Sequence, residues 1–208
     1  MKFSRYILIL FILISVQGFA QWGVKGGIDY GTVTEMDLPA YRAGFHIGAT
    51  YDMPLSPKMY FQTGVLFGLQ SFGFHQVGYD ENLNKKQAEN KSMVDNYNIE
   101  VPVTLSFRPE INRQKHIKLI IDLGLYGKYG LFGNVKYYDV DNTVYKGTTF
   151  RGEGNGYKRL LIGVGAGAGI QFDDKIYTCL GFQYGLTGIE SQSHVKNMIF
   201  RLSIGYRF

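Results

Sequence analysis

The chain has 208 residues, of which 45% are hydrophobic and 19% charged, a balance that excludes a wholly disordered protein. Its net charge of +5 comes from basic residues spread along the chain, without the long basic run that is typical of a nucleic-acid-binding surface. The 27 glycines, 16 tyrosines and 15 phenylalanines favour β-strands and turns. Cys179 is the only cysteine, so it cannot form a disulfide within the chain, and we expect it to be a small structural residue.

The first twenty residues are predicted to be a signal peptide. Lys2 and Arg5 precede an apolar run from about Tyr6 to Val16, and the small residues Gly18 and Ala20 precede the expected cleavage site. The apolar run is shorter than the ~20 residues that a transmembrane helix needs. We therefore expect residues 1–20 to be removed and residues 21–208 to form one exported domain, with no cofactor and no nucleic-acid partner.

Apolar and polar residues alternate with a period of two through the rest of the chain. In the last segment, 198–208, large apolar side chains occupy every second position, and Arg201 and Arg207 lie between them. This pattern predicts strands of about 9–14 residues, the length with which a tilted strand crosses a bilayer. The eight predicted strands lie near residues 22–30, 41–52, 59–70, 97–108, 117–129, 159–172, 176–186 and 198–208.

Short and long connections alternate between these strands. The short ones are 53–58, 109–116 and 173–175, and the long, polar ones are 31–40, 71–96, 130–158 and 187–197. Short turns at one rim and long loops at the other are typical of an outer-membrane barrel. We therefore predict an all-β fold, an eight-stranded antiparallel up-and-down transmembrane β-barrel in the cell outer membrane. It is expected to be a monomer in contact with outer-membrane lipid, and the fifth and sixth strands are expected to continue above the membrane as a hairpin.

The apolar face of the predicted strands is expected to point towards lipid. It carries no charged residue in any of the eight strands, and one charge at the bilayer midplane would cost about 2–4 kcal/mol. The opposite face is rich in glycine, which suits the narrow interior of an eight-stranded barrel. A soluble, lipocalin-like barrel, with its apolar face inside, is the structural alternative.

The charged residues of the polar face are predicted to form a salt-bridge network that fills the lumen, because a buried charge needs a partner. Bases outnumber acids on this face, which predicts a net positive lumen. The predicted members are Lys25, Asp29, Arg42, His46, Glu100, Lys118, Asp122, Arg159, Arg201 and Arg207.

Four glycines alternate in one strand, at Gly163, Gly165, Gly167 and Gly169. In a helix each would cost about 1 kcal/mol relative to alanine. A phosphate-binding loop would need a strand–turn–helix context, which is missing here. We interpret these glycines as lumen positions that leave space for charged side chains of the opposite strands.

Aromatic residues concentrate near the strand ends on the outward face, as in the interfacial girdles of membrane barrels. The predicted girdle comprises Trp22, Tyr41, Tyr51, Tyr97, Phe107, Phe172 and Tyr184.

Several stretches resemble the PorT-like family of outer-membrane β-barrel proteins. They are "WGVKGGIDYG", "AGFHIGATYDMPLS", "YNIEVPVTLSFRP", "IIDLGLYGKYGL", "GVGAGAGIQF", "FQYGLTGIE" and "NMIFRLSIGYRF", in the order that the family shows. The resemblance covers essentially the whole mature chain. It implies that the terminal Phe208 is an assembly signal read by the barrel-assembly machinery, and some relatives are linked to type IX secretion.

No motif of the chain predicts catalysis or metal binding. His46, Asp122, Glu100 and Ser106 could supply a nucleophile set, but their spacing does not support one. The four histidines lack ligand spacing. The segment "DVDNT" (139–143) lacks the glycine and glutamate of an EF-hand loop, although a weak calcium contact there stays open.

The leading hypothesis is a non-enzymatic barrel with a mostly filled lumen that displays its loops or supports an envelope assembly. The long loops 71–96 and 130–158 are the candidate contacts with an envelope protein. A narrow channel for small solutes or ions, and an enzyme acting at the outer rim, are the alternatives.

Overall fold

The computed structural model describes residues 21–34, 39–79, 85–112, 114–138, 144–150, 156–190 and 195–208. Within these ranges, only the backbone is described for residues 75–79 and 85–91. The predicted signal peptide lies outside these residues. In the part of the chain that is described, no helix has the length and apolar character needed to cross a membrane.

The described chain is built from ten β-strands. They are β1 (Gln21–Val33), β2 (Pro39–Ser56), β3 (Met59–Tyr79), β4 (Lys85–Phe107), β5 (Glu110–Asn112), β6 (Ile117–Tyr138), β7 (Val144–Thr148), β8 (Leu160–Phe172), β9 (Ile176–Gly185) and β10 (Asn197–Arg207).

Eight of these strands form a closed antiparallel barrel. The ring runs β1–β2–β3–β4–β6–β8–β9–β10, and β10 returns to pair with β1. Strand β5 pairs with the start of β6, and β7 pairs with its end, so neither is part of the ring. The predicted eight-stranded up-and-down barrel is therefore confirmed. We call the end with the short connections, where Gln21 and Phe208 lie, the turn end, and the opposite end the loop end.

Three strands extend about nine residues or more beyond the predicted limits at the loop end. Strand β3 runs to Tyr79, β4 begins at Lys85 and β6 continues to Tyr138, so parts of the predicted loops 71–96 and 130–158 are strand. The hairpin expected in the second of these loops is made by β6 and β7, with Tyr137 opposite Tyr145. It does not include the sixth predicted strand, because β8 begins only at Leu160.

The two faces of the barrel wall differ in chemistry. Large apolar side chains such as Leu123, Leu180 and Ile204 point outward and are more than 60% exposed. A soluble barrel would bury such a face, whereas a membrane barrel presents it to lipid. The inward face is polar along most of its length. At the loop end it carries an apolar cluster of Val33, Phe72, Val94, Val135, Leu161, Ile189 and Val195, with Tyr157 packed against it.

Inward-facing glycines allow the strands to pack closely around the narrow lumen. A Cβ atom added to Gly27, Gly48 or Gly169 would collide with a backbone carbonyl oxygen of the adjacent strand. In β8, a Cβ at Gly163 would meet the Tyr126 ring, and one at Gly167 would meet Cys179 Sγ at 3.1 Å. The space beside Gly163 and Gly169 is therefore taken by the neighbouring strands β6 and β9. Gly165 and Gly167 instead line a cavity whose wall includes the charged side chains of Lys25 and Asp122.

Candidate functional site in the barrel lumen

Arg201 organises a cluster of four charges in the middle of the lumen, which we call the central cluster: Asp29, Glu100, Lys128 and Arg201. Arg201 Nε and Nη2 donate to the two carboxylate oxygens of Asp29 at 2.8 and 3.0 Å. Its Nη1 and Nη2 donate to the two oxygens of Glu100 at 2.8 and 2.9 Å. Lys128 Nζ lies 3.3 Å from Glu100 Oε2, so two cations are balanced by two carboxylates.

The strand registers bring these charges together. Asp29 lies directly opposite Arg201 in the β1–β10 pair, and Glu100 lies directly opposite Lys128 in the β4–β6 pair. Strands β4 and β10 face each other across the ring, so Arg201 bridges the lumen from wall to wall. Gln183 completes the cluster, since its amide donates to Glu100 Oε1 at 2.9 Å and its carbonyl oxygen accepts from Lys128 Nζ at 3.0 Å.

A second cluster, which we call the turn-end cluster, consists of Asp52, Arg108 and Arg207. Arg108 Nη1 and Nη2 each donate to one Asp52 oxygen at 3.1 Å, and Arg207 Nε donates to Asp52 Oδ2. Gln62 Nε2 donates to Asp52 Oδ1 at 2.7 Å, and Arg108 Nε donates to Ser106 Oγ at 2.8 Å. The charged side chains of this cluster are all buried. Two of them, Asp52 and Arg108, and the neighbouring Gln62 were not among the predicted network residues.

The other predicted network residues have different positions. Lys25 and Asp122 line a cavity between the two clusters. Lys118 Nζ lies 2.5 Å from Asp174 Oδ1 at the rim of the turn end. Arg159 is exposed near the loop end, where its Nη1 donates to the carbonyl oxygens of Gly130 and Leu131, because it precedes the start of β8 and lies outside the lumen.

Arg42 lies near the loop end of β2, opposite Gly31 of β1, and is half-buried. Its Nη1 donates to Asp95 Oδ1 at 2.7 Å. Val94 belongs to the inner apolar cluster, so the adjacent Asp95 points to the opposite face of β4.

These positions reduce the predicted positive charge of the lumen. The inward bases are Lys25, Arg108, Lys128, Arg201 and Arg207. The inward acids are Asp29, Asp52, Glu100 and Asp122. One positive charge therefore remains in excess among the described residues.

A cavity of about 60 Å³ separates the two clusters. Its polar wall includes Lys25, Thr104, Asp122 and Ser203, and Gly165 and Gly167 of the glycine-rich strand lie beside them. Asp122 Oδ1 is buried without a hydrogen-bond partner among the described residues, and Asp122 Oδ2 lies 3.9 Å from Cys179 Sγ. The cavity is large enough for a few water molecules, since one water needs roughly 10–15 Å³ by this measure.

Ser203, His46 and Asp29 have the spacing of a catalytic triad. Ser203 Oγ lies 3.0 Å from His46 Nε2, and His46 Nδ1 lies 2.9 Å from Asp29 Oδ1. Sequence reasoning missed Ser203, which lies 157 residues from His46. It considered Ser106 instead, whose hydroxyl accepts from Arg108.

The surroundings of this triad do not support acyl transfer. Both oxygens of Asp29 already accept hydrogen bonds from Arg201, so the carboxylate is not reserved for the imidazole. Acyl transfer also needs free backbone or side-chain donors for an oxyanion, whereas Ser203 lies within the paired β10 ladder. Within the described residues no group of three or more His, Cys, Asp or Glu side chains could hold a metal ion, and the segment 139–143 lies outside them.

The aromatic residues predicted as a girdle lie on the outer wall near both ends of the barrel. At the turn end, Trp22 packs edge-on against Tyr51 with ring centroids 5.1 Å apart, and Phe107 and Phe172 are exposed. At the loop end, Tyr97 stacks on Phe132 at 4.7 Å. There Tyr41 stacks on Tyr30 at 5.3 Å, and Lys196 Nζ lies 5.5 Å from the ring centroid of Tyr184.

The C-terminal Phe208 lies at the turn end. Its backbone N–H donates to the carbonyl oxygen of Trp22 at 2.9 Å, which joins Phe208 to the start of β1, while its side chain is 71% exposed.

Above the apolar cluster, the β6–β7 hairpin forms one wall of a pocket of about 330 Å³. Tyr137, Tyr145 and Tyr157 line it, and Gly147 lies in the same wall. Burial raises the pKa of the Tyr157 hydroxyl, and the nearby Glu190 carboxylate acts in the same direction, so this hydroxyl stays protonated and can donate a hydrogen bond. The pocket lies in the candidate partner loop 130–158.

Comparison with solved structures finds barrels of bacterial outer membranes. Ail, the attachment invasion locus protein of Yersinia pestis, is 17% identical, with 91% of this chain and 99% of that chain covered and a TM-score of 0.44. OprG from Pseudomonas aeruginosa is 10% identical, with coverage of 93% and 99% and a TM-score of 0.44. The Neisserial surface protein A is 11% identical, with coverage of 91% and 99% and a TM-score of 0.41.

No curated protein matches the chain. The family model described as outer membrane protein beta-barrel domain matches residues 15–191, which include all but the last strand of the barrel. The closed barrel, its exposed apolar wall and its polar lumen agree with this match. The chain belongs to the outer membrane protein beta-barrel domain family and is an outer-membrane β-barrel protein.

Proposed function

We propose that the protein is a non-enzymatic, PorT-like barrel whose filled lumen makes it a membrane anchor, from which the loop end contacts a partner in the cell envelope. One observation carries this proposal, the wall-to-wall bridge of Arg201 to Glu100 in the middle of the lumen. Water and solutes would have to displace this bridge, the turn-end cluster and the apolar cluster in turn. A role in an envelope or secretion assembly agrees with the resemblance of the sequence to the PorT-like family.

The surface offered to a partner would lie at the loop end. There β3, β4, β6 and β7 continue beyond the aromatic residues, and the tyrosine-lined pocket lies beside the β6–β7 hairpin. Tyr137 and Tyr145 are 44% and 61% exposed, and tyrosine supplies both apolar contact area and a hydroxyl at little entropic cost.

Planar-bilayer recordings test the filled lumen. The pure protein, reconstituted and shown to be folded, is expected to give no steady open-channel current. A reproducible unitary conductance would reject the anchor and favour the second candidate, a narrow channel for small ions. That candidate has its own supporting observation, the cavity of about 60 Å³ that lies between the two charge clusters.

Capture from intact envelopes tests the partner. Crosslinking through the loop end of the wild-type barrel is expected to recover a specific envelope protein, and a double Tyr137→Ala, Tyr145→Ala variant is expected to recover less of it. Recovery of the same proteins by both forms would place the contact elsewhere on the molecule.

A further inference from the structure

The turn-end cluster carries more positive than negative charge. Asp52, Arg108 and Arg207 are each at most 2% exposed, so two guanidinium groups share one carboxylate away from water. The central cluster is neutral, and Lys25 and Asp122 offset each other beside the cavity. The excess positive charge of the lumen therefore lies in the turn-end cluster.

The excess resides on Arg207. Arg108 donates from Nε to Ser106 and from both Nη atoms to Asp52, so each of its three nitrogens has an acceptor. Arg207 reaches Asp52 through Nε, and its buried Nη1 has no acceptor among the described residues. A buried guanidinium nitrogen without an acceptor is strongly unfavourable unless an anion or water binds to it.

A second donor lies beside the same guanidinium. The ring of Tyr177 stacks under Arg207, with Cζ 4.2 Å from the ring centroid, and its buried hydroxyl interacts with the Thr50 side chain but with no other described acceptor. Arg108 stacks in the same way on Tyr60 at 4.3 Å. The aromatic faces stabilise the cations, but they leave the net charge unchanged.

We propose that the turn-end cluster binds one small monovalent anion of the chloride type, held by Arg207 Nη1 with the Tyr177 hydroxyl beside it. The anion would neutralise the excess charge and supply the acceptor that Nη1 lacks. It would enter from the turn end, where the Lys118–Asp174 pair lies at the rim. The site is independent of whether the lumen conducts.

Thermal unfolding of the purified, full-length barrel in detergent tests this site. Chloride, bromide and gluconate salts of sodium are compared at one fixed ionic strength, since gluconate is too large for the buried cluster. The wild-type midpoint is expected to be about 3 °C or more higher in chloride and bromide than in gluconate. Equal midpoints in the three salts would overturn the proposal.

Two variants separate a bound anion from general salt effects. Arg207→Gln removes the excess charge and leaves the two hydrogen bonds between Arg108 and Asp52, so the halide-dependent shift is expected to disappear. Lys118→Gln removes a positive charge at the same end but outside the cluster, and the shift is expected to persist. A shift retained by Arg207→Gln would overturn the site.

A measurement on the wild type alone covers the case in which Arg207→Gln does not fold. Crystals grown in bromide are expected to show an anomalous peak within hydrogen-bond distance of Arg207 Nη1. Bromide peaks confined to the protein surface, with none at this nitrogen, would refute the site.

Discussion

Arg201 of β10 and Glu100 of β4 meet across the full width of the lumen through two hydrogen bonds of 2.8 and 2.9 Å, although 101 residues separate them in sequence. The same guanidinium binds Asp29, its direct neighbour in the β1–β10 pair that closes the barrel. One side chain thus joins the closing seam of the barrel to its opposite wall. Arg201 is therefore expected to contribute both to closure of the barrel and to blocking of its lumen.

Glu100→Gln is expected to destabilise the barrel by about 3–5 kcal/mol, because it leaves Arg201 and Lys128 with one carboxylate between them in a buried site. Urea unfolding in detergent or lipid vesicles measures the change. The matched control is Asp174→Asn, which breaks the rim pair with Lys118 and is expected to cost at most about 1 kcal/mol. Similar losses for the two variants would show that the central cluster contributes no more than a surface pair.

Gly27→Ala tests the close approach of the strands. The added methyl group would collide with the carbonyl oxygen of Leu202 and approach His46 Cε1 to 2.8 Å, so a loss of about 1–3 kcal/mol is expected. Gly127→Ala is the control, since no heavy atom lies within 4 Å of the added methyl group, and its effect is expected to stay within about 0.5 kcal/mol. Unfolding midpoints on heating or in urea distinguish the two variants.

Leu123→Lys tests the orientation of the apolar wall. Leu123 lies in the middle of the predicted fifth strand and is 67% exposed, so a lysine there would face lipid at a cost of about 2–4 kcal/mol. Ile111→Lys introduces the same side chain at a similarly exposed position in β5, outside the barrel ring, and is expected to fold normally. Folding yields into lipid vesicles measure both effects. Equal yields would contradict the membrane-facing assignment of this wall.

Cys179 provides a built-in probe of the lumen. It is buried beside the cavity, between the two charge clusters, and is the only cysteine in the chain. A charged methanethiosulfonate reagent is expected to leave the folded barrel unmodified and to react fully after unfolding, with mass spectrometry as the readout. Rapid modification of the folded protein would show that solutes reach the middle of the lumen.

Ser203 is expected to be unreactive despite its 3.0 Å contact with His46 Nε2. A fluorophosphonate probe should not label the folded wild type, because the small cavity offers no described oxyanion site. Ser203→Ala should cost about 1 kcal/mol, the net contribution of one hydrogen bond. Labelling that disappears in Ser203→Ala would identify a reactive serine and contradict the non-enzymatic proposal.

Much of the architecture can be predicted from local patterns. The alternation in 198–208 gives β10 to within one residue at each end, because successive side chains of a strand point to opposite faces whatever its neighbours are. The same rule places Leu123 outward and Asp29 inward. It does not predict the pairing of Arg42 with Asp95, because that contact depends on how β2 and β4 are aligned through β3, including the register shift between Tyr41 and Phe45.

The contacts within the lumen could not be predicted in this way. Glu100 was expected to need a basic partner, but the spacing of charged residues along the sequence does not show whether that partner is Arg201, Arg42 or Lys25. The triad-like set of Ser203, His46 and Asp29 was missed for the same reason, since its members come from β10, β2 and β1. Asp52 and Arg108 lie near strand ends, where the pattern does not show whether a charge reaches water or stays buried.

The sequence by itself determined which side of each strand meets lipid, because that choice depends on residue chemistry repeated at a period that the backbone imposes. Only the tertiary structure decided which inward charges meet. Closure of the ring sets the relative heights of all eight strands at once, and a one-residue change in any register would turn a strand's charges away from the lumen. The pairing of Arg201 with Glu100, and the excess positive charge that remains on Arg207, are consequences of that closure.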